Sequence, residues 1–198
     1  MFSKNSMRII EFLLRNLNRE FNVNQIARNL KISVGSAHKI LKSLASKNFI
    51  NFRKMGNAIF YKLNLENKET QKICEIALIE SKNKELSFNP VAKVYAKDIE
   101  TFGDAKAMIL FGSILVKKEK AGDVDVLFVI EDKKAVKKVN EFCLEISKTK
   151  TKSIVPLIIT ERDLKGKFKS GDKVLLEILK TGIILSGEDV IIKSIKDD

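Results

Sequence analysis

The spacing of apolar residues changes once within the first 65 positions, after Asn48, and this change limits the possible folds. Before Asn48, apolar residues repeat at helical spacing, which predicts helices capped by Ser6 and Ser33 and a short helix over 24–30 between them. After Asn48, the period falls to two on both sides of a Gly-Asn pair at 56–57, which favours a hairpin turn. The pattern therefore predicts three helices followed by a hairpin.

The segment "VNQIARNLKISVGSAHKILKSLASKNFI" places the small residue Ala27, a short turn at 31–32 and a further helix in the order typical of a helix-turn-helix. Over about residues 5–65, the chain resembles the MarR/ArsR-like winged helix-turn-helix regulators of bacteria and archaea. The resemblance implies that the third helix enters the major groove of double-stranded DNA, that the hairpin is the wing, and that the protein regulates transcription.

Polar residues of the third helix and the hairpin are candidates for contact with DNA. Those of the helix lie off its apolar stripe and could reach bases or phosphates: Ser36, His38, Lys39 and Lys42. In the hairpin, Arg53 and Lys54 could contact the adjacent backbone, and each such contact would add salt dependence. The same residues would also suit a solvated basic face on a winged helix that binds another protein.

Charge is distributed unevenly along the chain. Residues 1–65 hold 12 Lys and Arg against two acids, a net charge of +10, out of +12 for the whole chain. Residues 66–198 hold 25 Lys and Arg against 23 acids, a net charge of +2. A step of this kind predicts two units, the first of which meets a polyanion.

Other features exclude several classes of protein. No apolar run approaches the roughly 18 residues of a membrane span, and the first 20 residues lack the pattern of a signal peptide. We therefore expect a cytoplasmic protein without a membrane partner. Cys74 and Cys143 lie far apart in helical patterns, which predicts buried thiols rather than a zinc site.

The chain divides into three predicted segments: a winged helix-turn-helix domain over 1–66, a helical connector over 67–100, and a second domain over 101–198. In the connector, Asn89 and Pro90 separate two helices, with Pro90 in the first turn of the second one. The position of the connector favours a role in dimerisation, so we expect a homodimer.

From Lys106 onward, strands and helices alternate. Strands are predicted over 107–111, 123–130, 154–159 and 183–185, and helices over 113–120, 133–148 and 172–180. This order predicts a small α/β domain with helices packed on a mixed sheet, which makes the whole chain α+β. The tail "SIKDD" is predicted to be a frayed end.

Two carboxylates open the second predicted strand. Asp123 and Asp125 share one face of the strand, with Cα atoms about 6.6 Å apart, and would repel unless a cation lay between them. Mg²⁺ is a hard ion that prefers such oxygen ligands. Gly112 permits a close backbone approach before a helix, and backbone amides with the Ser113 hydroxyl could bind phosphate oxygens.

The Gly-Ser pair, the spacer 114–122 and Asp-Val-Asp in a strand resemble the DNA polymerase β-like nucleotidyltransferase superfamily, most of all the minimal, antitoxin-like members. The resemblance covers about residues 101–187 and includes "FKSGDKVLLEILKTGIILSGED". It implies transfer of a nucleoside monophosphate from a nucleoside triphosphate, with ATP expected, and release of pyrophosphate. Asp123 and Asp125 would be the catalytic Mg²⁺ ligands, and Gly112 and Ser113 would bind the nucleotide.

One expected group is missing. Active members of this superfamily carry a third carboxylate on a later strand, but "SIVPLIIT" at 153–160 contains no Asp or Glu, and Glu161 and Asp163 follow it. Pro156 predicts an edge strand or a bulge. Whether the protein is an enzyme is therefore open.

Three functions fit the sequence. The first is a DNA-binding regulator whose second domain binds Mg-NTP and transfers a nucleotide to a protein or nucleic-acid acceptor. The second is a non-catalytic regulator with a nucleotide-sensing or relic domain. The third is an adenylylating antitoxin that acts on a toxin partner.

Overall fold

The computed structural model describes residues 2–196, which form two units. The first reaches Ala77 and includes Lys196, and the second is Leu78–Ile195. The boundary falls inside one helix, α4 (Lys68–Ser87), so the connector predicted over 67–100 is divided between the units. Among residues 2–196, no helix combines the length and the apolar character that a membrane span requires.

The first unit contains the predicted three helices and hairpin, the elements of a winged helix. The helices are α1 (Lys4–Leu14), α2 (Val23–Leu30) and α3 (Val34–Ser46). The strands are β1 (Phe21–Asn22), β2 (Ile50–Met55) and β3 (Ala58–Leu63), in the antiparallel order β1-β3-β2. Gly56 has a φ of 57°, so the hairpin turn uses the left-handed conformation that glycine allows.

Local capping explains where these helices start. Ser33 accepts a hydrogen bond from the Ser36 amide at the start of α3, as predicted. The prediction that Ser6 caps α1 is wrong, because Ser3 is the N-cap and accepts the Ser6 amide. The three helices bury one apolar stripe each: Ile9, Ile10, Leu13, Leu14, Ile26, Ala27, Ala37, Leu41 and Leu44.

The second unit is built on a four-stranded mixed sheet, as predicted, in the order β6-β5-β4-β7. The strands are β4 (Ala107–Phe111), β5 (Asp123–Ile130), β6 (Ser153–Thr160) and β7 (Ile183–Ser186). The helices are α5 (Pro90–Ile99), α6 (Ser113–Lys117), α7 (Val136–Thr149), α8 (Glu161–Lys169), α9 (Lys173–Thr181) and α10 (Glu188–Ile195). Among the strands of the described residues, only β5 and β6 are parallel neighbours.

Two helices of this unit were not predicted. Helix α8 is polar and fully buries only Leu164, so it lacks a repeated apolar signal. Helix α10 includes Ser194 and Ile195, so the start of the tail predicted to fray is helical. The last two residues of that tail, 197–198, lie outside the described residues.

Helices cover both faces of the sheet. One face of β5 packs in a single core with α5 and α7, through Val124, Val126, Phe128 and Ile130. The alternate residues of β5 face α8, α9 and α10, which contact the strands on the other side. Asp123 and Asp125 open this second face and remain half-buried.

Strand β6 lies at the edge of the sheet, as Pro156 suggested. The Ile154 amide donates to the Ser147 hydroxyl at 2.9 Å, and Pro156, two residues further along the same edge, has no N–H. An edge with few free donors is a poor template for pairing with another strand.

The turn between α2 and α3 generates a prediction about stability. Lys31 ends α2 in the left-handed conformation, with φ 52° and ψ 47°, which costs a residue with a side chain about 1–2 kcal/mol. We expect Lys31→Gly to raise the free energy of unfolding by about 1 kcal/mol, measured by urea denaturation. The control, Arg28→Gly inside the same helix, should lower it by about 1 kcal/mol. Destabilisation by both variants would show that the left-handed backbone at Lys31 is not strained.

Candidate functional site

The outer face of α3 brings together two of the predicted DNA contacts. At 100° per residue, Lys39 and Lys42 lie about 60° apart on the side opposite the buried stripe, and both are exposed. Ser36 and His38 lie on opposite flanks of this face; His38 is exposed and Ser36 half-buried. The helix therefore presents two ammonium groups between two smaller polar side chains.

The hairpin separates the other two predicted contacts. Arg53 and Lys54 are consecutive in β2, so their side chains point to opposite faces. Arg53 forms an ion pair with Glu20. Lys54 lies across from Ile59, on the face that carries the exposed ring of Phe52. Arg53 and Lys54 therefore cannot both contact one segment of DNA backbone from the same face of the hairpin.

Acidic groups in the first 65 residues are already paired with arginines. Glu11 forms an ion pair with Arg15 at 2.9 Å, and Glu20 pairs with Arg53. Within residues 2–196, neither Lys39 nor Lys42 has an acidic partner or a side-chain hydrogen bond. Within the described part of the unit, the positive charge of α3 is therefore not neutralised by an ion pair.

In the second unit, the turn after β4 lies against the second carboxylate of β5. Asp125 pairs with Phe111 across the antiparallel ladder, which places it beside Gly112. Gly112 has a φ of 78°, and a Cβ at this position would lie 2.8 Å from the Asp125 Cγ and closer still to Oδ2. Only glycine therefore allows this backbone conformation and leaves room for the carboxylate.

The two carboxylates affect one another electrostatically. Burial raises the pKa of Asp125 above its usual value, the charge of Asp123 raises it further, and a hydrogen bond from the Ser113 amide lowers it. The Ser113 amide, a predicted phosphate ligand, thus donates to Asp125 in this structure. Helix α6 is five residues long, shorter than the predicted 113–120, and a 3-10 turn covers 118–120.

The neighbours of the carboxylates on β6 carry no acid. In the parallel register, Ser153 lies beside Asp123 and Val155 lies beside Asp125. Val155 is 45% exposed. Glu161 begins α8 beyond the far end of β6, about 26 Å along the strand direction from Ser153 at about 3.3 Å per residue. Within residues 2–196, no cluster of three or more His, Cys, Asp or Glu is placed to hold a metal.

The donor set at Asp123 and Asp125 suits a hard divalent cation. It offers two carboxylates on one face, half-buried beside a glycine turn, with the remaining ligands left to water or phosphate. The two cysteines are not donors of this kind. Burial raises the pKa of Cys74 to about 12 and that of Cys143 to about 11, so both thiols are protonated core groups.

Sequence reasoning missed Lys152, which lies next to this site. Its Nζ donates to the backbone carbonyls of Glu119 and Ala121, at 2.8 and 2.6 Å, in the loop that leads into Asp123. These contacts join residues more than 30 positions apart, so no local pattern could have indicated them.

Comparisons with known proteins do not identify a family for this chain. No protein family model matches the chain, and no curated protein matches it. Two crystal structures of the adhesin competence repressor AdcR from Streptococcus pyogenes are similar, one of them C-terminally His tagged. The tagged one has 15% identity and a TM-score of 0.37, covering 52% of this chain and 69% of that chain. The other has 14% identity and a TM-score of 0.36, covering 75% of this chain and 80% of that chain. Likeness at this level carries no argument about function.

The glycine turn generates a prediction about cation binding. We expect Gly112→Ala to displace the Asp125 carboxylate and weaken Mn²⁺ binding at least about tenfold, measured by isothermal titration calorimetry. The matched control is Gly122→Ala, because a Cβ there meets nothing within 4 Å although the residue directly precedes Asp123. Equal Mn²⁺ affinity in the two variants would show that the turn does not hold the carboxylate in place.

Proposed function

We propose that the protein is a DNA-binding regulator that contacts duplex DNA through α3 and the hairpin, and whose second unit binds a nucleoside triphosphate with Mg²⁺. The observation that carries the proposal is the outer face of α3. Among the described residues 2–196, Lys39 and Lys42 on this face have no acidic partner, and the net charge of residues 1–65 is +10. A phosphate backbone is the polyanion that such a surface fits.

Helix α3 has the dimensions to enter the major groove. Lys39 and Lys42 would bind phosphates or guanine edges from the middle of its outer face, and Ser36 and His38 would contact the groove walls on either side. Arg53 would reach a phosphate only after leaving Glu20, while Lys54 would act from the other face of the wing. A homodimer reading paired half-sites is part of the proposal.

The second unit supports binding of Mg-NTP, with ATP as the proposed nucleotide. Asp123 and Asp125 would hold Mg²⁺, which when bound supplies positive charge to the β- and γ-phosphates. Gly112 leaves room in the turn beside Asp125, and the Ser113 hydroxyl would donate to a phosphate oxygen. Burial and then the charge of Asp123 raise the pKa of Asp125, and a bound cation would favour the charged form of that carboxyl group.

Val155 favours binding without transfer. It stands beside Asp125, where a carboxylate would be needed to complete the site and assist an acceptor. Transfer of a nucleotide to a protein or nucleic-acid acceptor, including a toxin partner, is the second candidate. It is supported by the intact Gly112–Asp125 half of the site, since positioning and electrostatics supply most of the rate in phosphoryl transfer.

The DNA-binding proposal predicts a change in salt dependence. We expect Lys39→Ala with Lys42→Ala to weaken binding to a random-sequence duplex and to flatten the plot of log affinity against log salt by about 0.9 per lost phosphate contact. Fluorescence anisotropy at several salt concentrations measures both. Lys4→Ala removes one charge from α1 and should leave the slope nearly unchanged. An unaltered slope in the double variant would refute the role of α3.

The nucleotide proposal predicts Mg²⁺-dependent binding that depends on the carboxylates. We expect wild-type protein to bind at least one of the four NTPs with Mg²⁺, and Asp123→Ala with Asp125→Ala to lose binding. The matched control removes two exposed acids of α7, Glu141→Ala with Glu145→Ala, and should bind as wild type. Pyrophosphate is measured in parallel. Its release by wild type but not by the Asp variant would establish transfer, and no NTP binding would refute the proposal.

A further inference from the structure

The loop that delivers Asp123 to the sheet adopts a conformation that its own residues do not favour. Lys118 follows α6 with φ 50° and ψ −117°, a region that residues with side chains seldom adopt. A 3-10 turn then covers 118–120, and the Ala121 amide donates to the Lys118 carbonyl at 3.1 Å. Such a backbone persists only where contacts from outside the loop stabilise it.

One of those outside contacts comes from a single ammonium group. The Nζ of Lys152 donates to the carbonyls of Glu119 and Ala121, on either side of Lys120. Hydrogen bonds from a charged donor are stronger than those between neutral groups. Lys152 therefore holds two successive points of the loop, the second of them only two residues before Asp123.

The backbone of Lys152 is itself fixed to the core. Its amide donates to the hydroxyl of Tyr95 at 2.8 Å, and Tyr95 is 3% exposed within α5. The next residue, Ser153, pairs with Asp123 in the parallel ladder of β5 and β6. Lys152 thus joins three elements around one carboxylate: the loop before it, the strand beside it and the helix beneath it.

A second lysine holds the start of the loop. The Nζ of Lys118 donates to the carbonyl of Phe88 at 3.1 Å, between α4 and α5. This contact fixes the start of the loop but not the end that meets the strand. The contacts of Lys152, in contrast, hold the end of the loop that leads into Asp123.

We propose that Lys152 is a positioning residue for the cation site, setting the distance and direction of the Asp123 carboxylate through the carbonyls of Glu119 and Ala121. The proposal rests on the proposed binding of Mg-NTP and assigns no contact between Lys152 and the ligand. Residues that orient metal ligands typically cost about 10–100-fold in metal affinity when they are replaced.

The test compares Lys152→Met, which keeps a linear apolar chain but loses the ammonium, with Lys152→Arg, which keeps a donor. Lys148→Met is the matched control, because Lys148 is an exposed lysine nearby in sequence on α7. Two quantities are measured on the full chain: the Mn²⁺ affinity by calorimetry and the amide hydrogen exchange of residues 118–124 by mass spectrometry.

We expect Lys152→Met to weaken Mn²⁺ binding about tenfold or more, with partial recovery in Lys152→Arg and no change in Lys148→Met. Exchange in 118–124 should become faster in Lys152→Met, while exchange in α7 and in residues 4–63 stays as in wild type. Unchanged exchange in 118–124 would overturn the inference, as would unchanged Mn²⁺ affinity or equal losses in the Met and Arg variants. If wild-type protein binds no Mn²⁺, the proposed function fails, and the exchange data alone then decide whether Lys152 holds the loop.

Discussion

Two carboxylates that share one face at the start of a strand are the feature on which the candidate site of the second unit depends. Strand geometry forces Asp123 and Asp125 to the same face, and pairing with β4 brings the Gly112 turn against the second of them. Burial raises the pKa of Asp125 above its usual value, the charge of Asp123 raises it further, and the Ser113 amide offsets only part of the effect. A cation bound beside Asp125 would oppose this shift, because a nearby positive charge favours the charged form of a carboxyl group.

A related constraint applies to the first unit, with the opposite sign of charge. Two acids among the first 65 residues are bound to arginines, so the lysines on α3 keep their full charge next to one another. The helix tolerates this because the side chains are exposed and solvent screens them. Within residues 2–196, groups of like charge therefore lie together at one surface of each unit without an ion pair. Clusters of like charge are typical of binding surfaces for a charged ligand, which is why we propose DNA for the first unit and a Mg²⁺-bound nucleotide for the second.

Sequence patterns predicted what depends on neighbours along the chain. The bounds of β4 and β5, the hairpin turn and the Ser33 cap all follow from local periodicity and capping chemistry. The polar helix α8 was missed because a helix that buries one leucine leaves no stripe to detect. The separation of Arg53 and Lys54 could have been predicted from the period of two. Sequence patterns could not predict the contacts of Lys152 or the position of Val155 beside Asp125. Both depend on the pairing of β5 with β6.

The pairing of β5 with β6 also bears on whether a bound nucleotide would react with an acceptor. An acceptor hydroxyl needs a group that can take or orient its proton, and the side chain beside Asp125 is an exposed valine that can do neither. Within residues 2–196, β6 is the edge of the sheet, so no further strand lies beside Val155. The β6 side of the carboxylate pair therefore carries no acid, while the Gly112 turn borders Asp125 on the β4 side. A ligand held there without reacting could act only by shifting the balance between conformations, and only by as much as its affinity differs between them.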